Sequence, residues 1–229
     1  MSEGFLSRVS LRRDAPVQAI ARLLVPEGEG RQHGAAHHLL WTLFGDDAQR
    51  SRDFLWRQMD AGRFMVLSMR QPVDAHGLFD IETRDFAPCL KEGSRLRFLL
   101  RANATVDRKT PGRARSQRHD VVMDALHRLP SAERGCAREG LVPAVMGAWL
   151  ERVGDRAGFA PDLETLVIEN CDVWRIPRAQ GRSQAIFGVV DMTADLTVRA
   201  PDIFVPALMR GFGRARAFGC GLMLVRRAS

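Results

Sequence analysis

Residues 201–227 read PDIFVPALMRGFGRARAFGCGLMLVRR, and this stretch carries the most informative pattern of the chain. Pro201 to Arg210 predicts a helix, because proline is favoured in the first helical turn and apolar residues follow at helical spacing. Gly219 to Arg227 predicts a strand flanked by glycine. The connection between them carries four glycines and two arginines, namely Gly211, Gly213, Arg214, Arg216, Gly219 and Gly221.

The glycine-rich loop, residues 211–221, has a composition suited to binding phosphate. Glycines let the backbone approach a phosphate closely and leave N–H groups that can donate to it. Arginines add positive charge and paired donors. The loop is not a Walker loop, since no Gly-Lys-Ser/Thr follows, and not a Rossmann fingerprint, since the strand comes after the glycines. A plain turn is the alternative, and four spaced glycines favour the phosphate-binding interpretation.

The segments before this loop alternate between strand and helix patterns. Two long β-rich runs, Leu163–Ile176 and Ser183–Val198, precede the helix and are joined by a turn around residues 179–181. Upstream, the periodicity predicts a strand, a polar basic turn and two helices, at Ser94–Val106, Asp107–Arg118, Asp120–Leu129 and Pro143–Val153. The second half of the chain therefore approximates the order β-α-β-β-α-β.

The first half has a similar order of elements. It predicts a strand, a loop, a helix, a second amphipathic segment and two strands, at Phe5–Arg13, Pro26–Gly34, Ala35–Phe44, Gln49–Met59, Arg63–Met69 and Phe79–Phe86. We predict an α+β fold of tandem ferredoxin-like (RRM-like) domains, the first over residues 1–92 and the second over residues 93–229. The final helix of the first half has the weakest support, and one larger α+β domain is the alternative.

Positive charge is concentrated in two segments. The chain has a net charge of +7, and residues 95–118 hold eight basic residues against one acid. Residues 210–227 add five arginines and no acid, so the rest of the chain is acidic. Two basic segments on an acidic body predict a localised site for a polyanion. A GC-rich genome would also favour arginine, since only two of the 34 basic residues are lysine, but it does not explain the clustering.

Several classes of protein are disfavoured by what the sequence lacks. No apolar run approaches the roughly 20 residues that a membrane-spanning helix needs, and residues 1–14 have no signal-peptide core, so we expect a cytoplasmic protein without a membrane partner. The four cysteines are Cys89, Cys136, Cys171 and Cys220, scattered without a C-x-x-C pair. Structural zinc needs closely spaced ligands, so we expect neither a metal nor another cofactor.

Four motifs together resemble one family. The pattern of residues 211–221 is similar to the glycine-rich loop of CRISPR-associated RAMP proteins, and most similar to that of the CasE-type endoribonucleases of type I-E systems. Three further segments match that family in order along the chain. They are HHLLWTLF at residues 37–44, RDFL at residues 52–55 and FLLRAN at residues 98–103.

The resemblance implies a fold and an activity. It implies two ferredoxin-like domains and metal-independent cleavage of repeat hairpins in precursor CRISPR RNA, with the product kept as part of the Cascade surveillance complex. His37 matches the catalytic histidine of the family. The family often has a tyrosine three residues earlier, where this chain has Gly34 and no tyrosine at all. Arg31 and His33 are the candidates for the vacant role.

The chemistry of RNA agrees with this resemblance. RNA supplies its own nucleophile, the 2′-hydroxyl, so a protein needs only to align it, move protons and stabilise charge. Histidine suits the proton transfer and arginine suits the charge. The expected products carry a 2′,3′-cyclic phosphate and a 5′-hydroxyl. Arginine-rich loops suit the shape of an A-form stem, so the predicted RNA-binding residues are those of the glycine-rich loop and the basic residues Arg101, Arg108, Lys109, Arg113, Arg115 and Arg118.

Two other functions compete with the endonuclease. A non-catalytic RNA-binding subunit of the same kind of complex would use the same fold and charge, and the absent tyrosine favours it. A ferredoxin-like small-molecule or regulatory module would not need two basic segments. Retention of His37 favours the endonuclease over the non-catalytic subunit.

Overall fold

The computed structural model describes residues 4–14, 29–45, 52–109, 112, 116–177 and 184–228, with side chains from Gly34 onward in the segment 29–45. Its ten strands in these ranges are β1 (Gly4–Leu11), β2 (Phe54–Asp60), β3 (Arg63–Ser68), β4 (Phe79–Phe86), β5 (Arg95–Ala102), β6 (Thr105–Arg108), β7 (Gln117–Asp120), β8 (Phe159–Ile176), β9 (Ala185–Val198) and β10 (Met223–Arg227). Its α-helices in the same ranges are α1 (Glu29–Trp41), α2 (Val121–Leu126), α3 (Arg134–Ala157) and α4 (Pro201–Arg210).

The N-terminal sheet has the antiparallel order β2-β3-β1-β4. Helix α1 and the short 3-10 turn Thr42–Phe44 cover one face, where they bury a cluster that includes Val9, Leu40, Trp56 and Phe64. Burial of these apolar side chains is the main force that holds the helix on the sheet.

The C-terminal sheet has the antiparallel order β10-β5-β9-β8. Strand β5 alternates between buried residues such as Leu96 and Phe98 and outward residues such as Arg95 and Arg97, which is the period of a strand with one covered face. Helices α2, α3 and α4 contribute to the core on the covered face. The strands β6 and β7 form a separate hairpin inserted between β5 and α2.

The two sheets meet through apolar contacts and one buried ion cluster. Leu6, Leu55 and Leu67 of the N-terminal sheet form a buried cluster with Leu222, which lies just before β10. Beside it Arg57 of β2 reaches across to Asp191 of β9, with Nη2 2.8 Å from Oδ1. This buried ion pair and the leucine cluster beside it are direct contacts between the two sheets.

The predicted α+β fold of tandem ferredoxin-like domains is confirmed by these two sheets, whose strand orders correspond. In the C-terminal half, helices precede strand β8 and follow strand β9 along the chain, as predicted. The N-terminal half differs, because residues 61–94 contain no helix and strands β3 and β4 are joined by the irregular segment 69–78. The weakly supported final helix of the first half is therefore wrong.

Several predicted bounds also differ. Strand β2 occupies Phe54–Asp60, within the segment interpreted as a second amphipathic piece. The predicted strand Ser94–Val106 is interrupted at residues 103–104 and continues as β6. Helix α3 begins nine residues before the predicted Pro143, and α1 begins within the predicted loop Pro26–Gly34. The predicted turn at residues 179–181 lies outside the described residues.

Candidate active site between helix α1 and the glycine-rich loop

Helix α1 brings His37 to the junction with the C-terminal half of the chain. The helix contacts strand β8 and the 3-10 turn Arg216–Phe218 of the glycine-rich loop. Strand β2 contacts the same turn. The junction therefore joins sequence motifs from both halves of the chain.

His37 is half-buried and makes one defined hydrogen bond. The indole Nε1–H of Trp41, one helical turn later, donates to His37 Nε2 at 3.1 Å. Burial lowers the pKa of His37 to about 4, assisted by the positive charges of Arg52 and His38. The imidazole is therefore neutral near pH 7, and its proton belongs on Nδ1 because Nε2 accepts from Trp41. A neutral imidazole at the junction can accept a proton.

His38 and the two candidates for the vacant role lie on the same helix. The His38 side chain is exposed, and its ring centroid lies 5.5 Å from that of His37. The backbone of Arg31 and His33 belongs to α1 rather than to the predicted loop, and their side chains lie outside the described residues. At Gly34 a Cβ atom would meet no described atom within 4 Å, so no described residue occupies the place next to the Gly34 backbone.

Arg52 is a residue of the junction that belongs to the RDFL motif but was given no function from the sequence. It directly precedes Asp53, whose carboxylate is held by Arg70 through an Nε–Oδ2 distance of 2.7 Å. The Arg52 side chain is half-buried, and its pKa is lowered by burial and by the charge of Arg216. No local pattern in the sequence could reveal this, because both causes come from tertiary contacts.

The arginines of the glycine-rich loop differ in exposure. Arg216 is half-buried and donates to the carbonyl oxygens of Gly211 at 3.0 Å and Gly213 at 3.3 Å. Its pKa is lowered by burial and then by the charges of Arg214 and Arg210. Arg214 is exposed, and its backbone N–H donates to the carbonyl of Asn103. The loop therefore presents a dense positive charge beside α1.

The glycines of the loop have a structural requirement of their own. Gly213 has φ +76°, and a Cβ there would lie 2.7 Å from the carbonyl oxygen of Asn103. Gly219 has φ +82°, and a Cβ there would meet the ring of Trp56 at 3.0 Å. Side chains other than glycine are strained at such φ values. Gly211 and Gly221 also have positive φ and close neighbours. Tight packing of the loop is sufficient to account for these glycines, and phosphate contact by their N–H groups stays a prediction.

Arg101 lies in the interior of the junction. Its Nη2 is 2.9 Å from Asp191 Oδ2, its guanidinium lies 5.4 Å above the ring of Trp174, and only 17% of its side chain is exposed. With Arg57 it forms a buried group of two cations around Asp191. Its observed contacts lie within the C-terminal sheet, around the aspartate that Arg57 reaches from the other sheet, and contact between Arg101 and RNA stays a prediction.

The basic segment after β5 forms the hairpin of β6 and β7. Arg108 Nη2 lies 2.8 Å from Asp124 of α2, and Arg118 Nε lies 3.0 Å from Asp107 on the opposite strand. Lys109 is exposed. Arg113 and Arg115 lie outside the described residues. The predicted basic hairpin is therefore present, with its described arginines paired to carboxylates.

The described residues provide neither a metal cluster nor a membrane-spanning helix. No three His, Cys, Asp or Glu side chains there lie close enough together to hold a metal ion. No helix in the same ranges is long and apolar enough to cross a membrane.

Two ferredoxin-like sheets with a histidine and arginines at their junction define the class of fold and site, and comparison with known proteins identifies the family. The family model described as CRISPR associated protein matches residues 5–227. The chain therefore belongs to this family of CRISPR-associated proteins. It is 24% identical over 213 residues to the Cascade subunit CasE of Escherichia coli K12, covering 89% of this chain and 96% of that protein. The CasE-type resemblance predicted from the motifs is confirmed.

Solved structures support the same fold. CRISPR endoribonuclease Cse3 bound to a 19 nt RNA matches with a TM-score of 0.67 at 23% identity, covering 97% of this chain and 98% of that chain. Thermus thermophilus Cse3 bound to an RNA representing a pre-cleavage complex gives 0.66 at 22% identity, with 98% and 99% coverage. Cas6e of Escherichia coli K-12 gives 0.54 at 20% identity, with 98% and 100% coverage. At such identities the likeness concerns the fold.

Proposed function

We propose that this protein is a metal-independent endoribonuclease that cuts precursor CRISPR RNA beside a repeat hairpin and keeps the product bound. The observation that carries the proposal is the neutral His37 on helix α1, a helix that contacts the 3-10 turn Arg216–Phe218 of the glycine-rich loop. The names of its relatives, CasE and the endoribonuclease Cse3, support an RNA-processing activity.

The proposed reaction needs no group from outside the RNA and the protein. The 2′-oxygen next to the scissile phosphate attacks phosphorus, and its proton passes to the neutral imidazole of His37. The bond from phosphorus to the 5′-oxygen breaks, leaving a 2′,3′-cyclic phosphate on one fragment. The 5′-oxygen takes a proton and becomes a hydroxyl. A group on the opposite side of phosphorus supplies that proton. Of the two candidates for the vacant tyrosine role, His33 can give up a proton, whereas Arg31 stays protonated and can only stabilise charge.

The arrangement of His37 requires a small rearrangement. In the RNA-free protein its Nε2 accepts from Trp41, so the 2′-hydroxyl must take the place of the indole N–H or approach Nδ1 after a change of tautomer. The indole N–H can only donate, so it keeps Nε2 in its unprotonated form. We infer that Trp41 orients His37 until RNA arrives.

Binding is assigned to the positive surfaces around this junction. The glycine-rich loop with Arg214 and Arg216 faces the scissile region, and the hairpin of β6 and β7, with Lys109, Arg113, Arg115 and its paired arginines, contacts the stem. The partners would be the repeat hairpin in precursor and mature CRISPR RNA, and the other subunits of a Cascade complex. A cytoplasmic location follows from that assignment and stays a proposal.

One observation favours a second candidate, a non-catalytic RNA-binding subunit. A Cβ built at Gly34, where the resembled family often has a tyrosine, would meet no described atom within 4 Å, so no described residue replaces that catalytic group there. The fold and the charge would serve that function equally well. The two candidates differ in whether bound RNA is cut.

The test is incubation of the protein with a 5′-labelled repeat RNA in excess EDTA. The proposal expects one cut beside the hairpin, a cyclic phosphate at the new 3′ end and persistent binding of the hairpin fragment. A repeat RNA with a 2′-deoxy nucleotide at the cut position is the matched control and should bind without being cut. Tight binding without any cleavage would favour the non-catalytic subunit, and cleavage that requires added Mg²⁺ would contradict the mechanism.

A further inference from the structure

The backbone before strand β2 is held in place on two sides. Asp53 is fixed by Arg70, with Nε 2.7 Å from Oδ2 and Nη2 3.2 Å from Oδ1. The ring of Phe54 stacks on Phe44 at 4.6 Å and meets the ring of Trp41 at 5.4 Å. The side chain that precedes these two residues therefore starts from a fixed point on the N-terminal sheet, beside the end of helix α1.

That preceding residue, Arg52, has no hydrogen-bonding or carboxylate partner within the described part of the chain. It is half-buried, and so is its cationic neighbour Arg216. Burial of a charge without a partner is unfavourable, and two cations close together also repel each other. An anion that contacts the Arg52 side chain would reduce both the free-energy cost of burying this charge and the repulsion from Arg216. A partly buried cation without a partner is therefore suited to bind a phosphate.

The same side chain lies near His37. Trp41 contacts the rings of both His37, at 6.2 Å, and Phe54, at 5.4 Å, so the start of β2, which Arg52 closely precedes, lies beside His37. The charge of Arg52 also contributes to the lowered pKa of His37. By contrast, Arg216 already donates to two loop carbonyls, which leaves fewer of its donors for RNA.

We propose that Arg52 is a catalytic residue whose guanidinium donates to the non-bridging oxygens of the scissile phosphate. This inference rests on the proposed endoribonuclease function. When the 2′-oxygen bonds to phosphorus, negative charge increases on those oxygens, and the bond to the 5′-oxygen then breaks. A guanidinium held in place beforehand stabilises that charge without having to reorganise, and its fork can donate to two oxygens at once.

The test compares Arg52→Ala and Arg52→Lys with Arg63→Ala, a control that removes an exposed arginine at the start of β3. The rate of a single turnover is measured on labelled repeat RNA with protein in excess, and affinity is titrated on the 2′-deoxy RNA. Arg52→Ala should slow cleavage about 10²-fold while affinity changes only a few-fold. Arg52→Lys should recover part of the rate, because it keeps the charge but not the fork. Arg63→Ala should cut normally.

A second readout uses the protein without RNA. In an NMR titration of the histidine rings, Arg52→Ala should raise the pKa of His37 above its value of about 4, because a nearby cation is removed, and Arg52→Lys should keep it low. If the unchanged protein cuts RNA and both Arg52 variants cut at its rate, the Arg52 inference is overturned and the proposed function stands. If the unchanged protein never cuts, both are overturned. Should the alanine variant not fold, the rate and titration of the lysine variant and of Arg52→Gln decide.

Discussion

The arginines at the α1 junction and those of the β6–β7 hairpin differ in their surroundings. At the junction, Arg52 and Arg216 are half-buried and lack carboxylate partners within the described residues. On the hairpin, Arg108 and Arg118 are about half exposed and each is paired with an aspartate. Unpaired and desolvated cations attract an anion strongly, whereas an exposed paired cation must first give up its partner.

The difference shows what a local charge count misses. Residues 95–118 carry a net charge of +7 in the sequence. In the structure, five of the six basic residues described in this segment lie within 4.0 Å of an aspartate, and four of those aspartates come from elsewhere in the chain. The junction should therefore dominate catalysis, while the hairpin contributes affinity through the residues that are free to contact the RNA.

The largest expected effect is that of His37→Ala. General acid–base groups contribute roughly 10²–10⁴-fold in rate, so this variant should lose nearly all cleavage, as measured by the rate of a single turnover. One neutral histidine adds little to binding dominated by arginine, so affinity should hardly change. His38→Ala is the matched control, since its exposed ring points to a different side of α1, and it should cut at close to the normal rate. Equal losses in the two variants would contradict the assignment of His37.

An intermediate effect is expected from the glycine-rich loop. Gly219→Val forces a β-branched side chain into positive φ against the ring of Trp56, and such strain costs about 1–3 kcal/mol even before crowding is counted. The matched control is Gly77→Val, which has φ +66° but open space around its Cβ. By thermal unfolding and RNA titration, the Gly219 variant should lose more Tm and more affinity than the Gly77 variant. Indistinguishable variants would mean that packing against Trp56 is unimportant.

The smallest effect is expected from the hairpin, and it concerns salt dependence. Replacement of Arg113, Arg115 and Arg118 together with alanine should flatten the plot of log affinity against log salt by roughly one unit for each phosphate that the variant no longer neutralises. Arg118 should contribute least, because Asp107 already neutralises it. The control removes three exposed arginines elsewhere, Arg8, Arg63 and Arg199. An unchanged slope in the hairpin variant would place the RNA stem on another surface.

Much of the fold could be predicted from local pattern where one face of an element is exposed. Strand β5 alternates strictly between outward and buried residues, and helix α4 has its predicted bounds, Pro201–Arg210. Strand β2 was missed because Phe54, Leu55, Trp56 and Arg57 are all buried, some beneath α1 and others against the C-terminal sheet. When both faces of a strand are buried, its sequence shows no alternation of apolar and polar residues from which a strand could be predicted.

The residues of the candidate site also fall into those that could be predicted from local sequence and those that could not. His37 and the glycine-rich loop were recognised because their motifs are contiguous in the sequence. The position of Arg52 relative to His37 and Arg216 depends on packing between three separate segments, as does the engagement of Arg101 with Asp191. Such proximity depends on tertiary structure, so single-sequence reasoning could assign neither.

The most direct measurement sets the two regions against each other on one RNA. His37→Ala and the hairpin variant Arg113/Arg115/Arg118→Ala are compared with the unchanged protein in EDTA, with affinity titrated on 2′-deoxy repeat RNA and cleavage followed at saturating protein. We predict that His37→Ala binds normally and does not cut, while the hairpin variant binds more weakly and, once saturated, cuts at the normal rate. Loss of both properties in both variants, or normal cleavage by His37→Ala, would contradict this division between a catalytic junction and a binding hairpin.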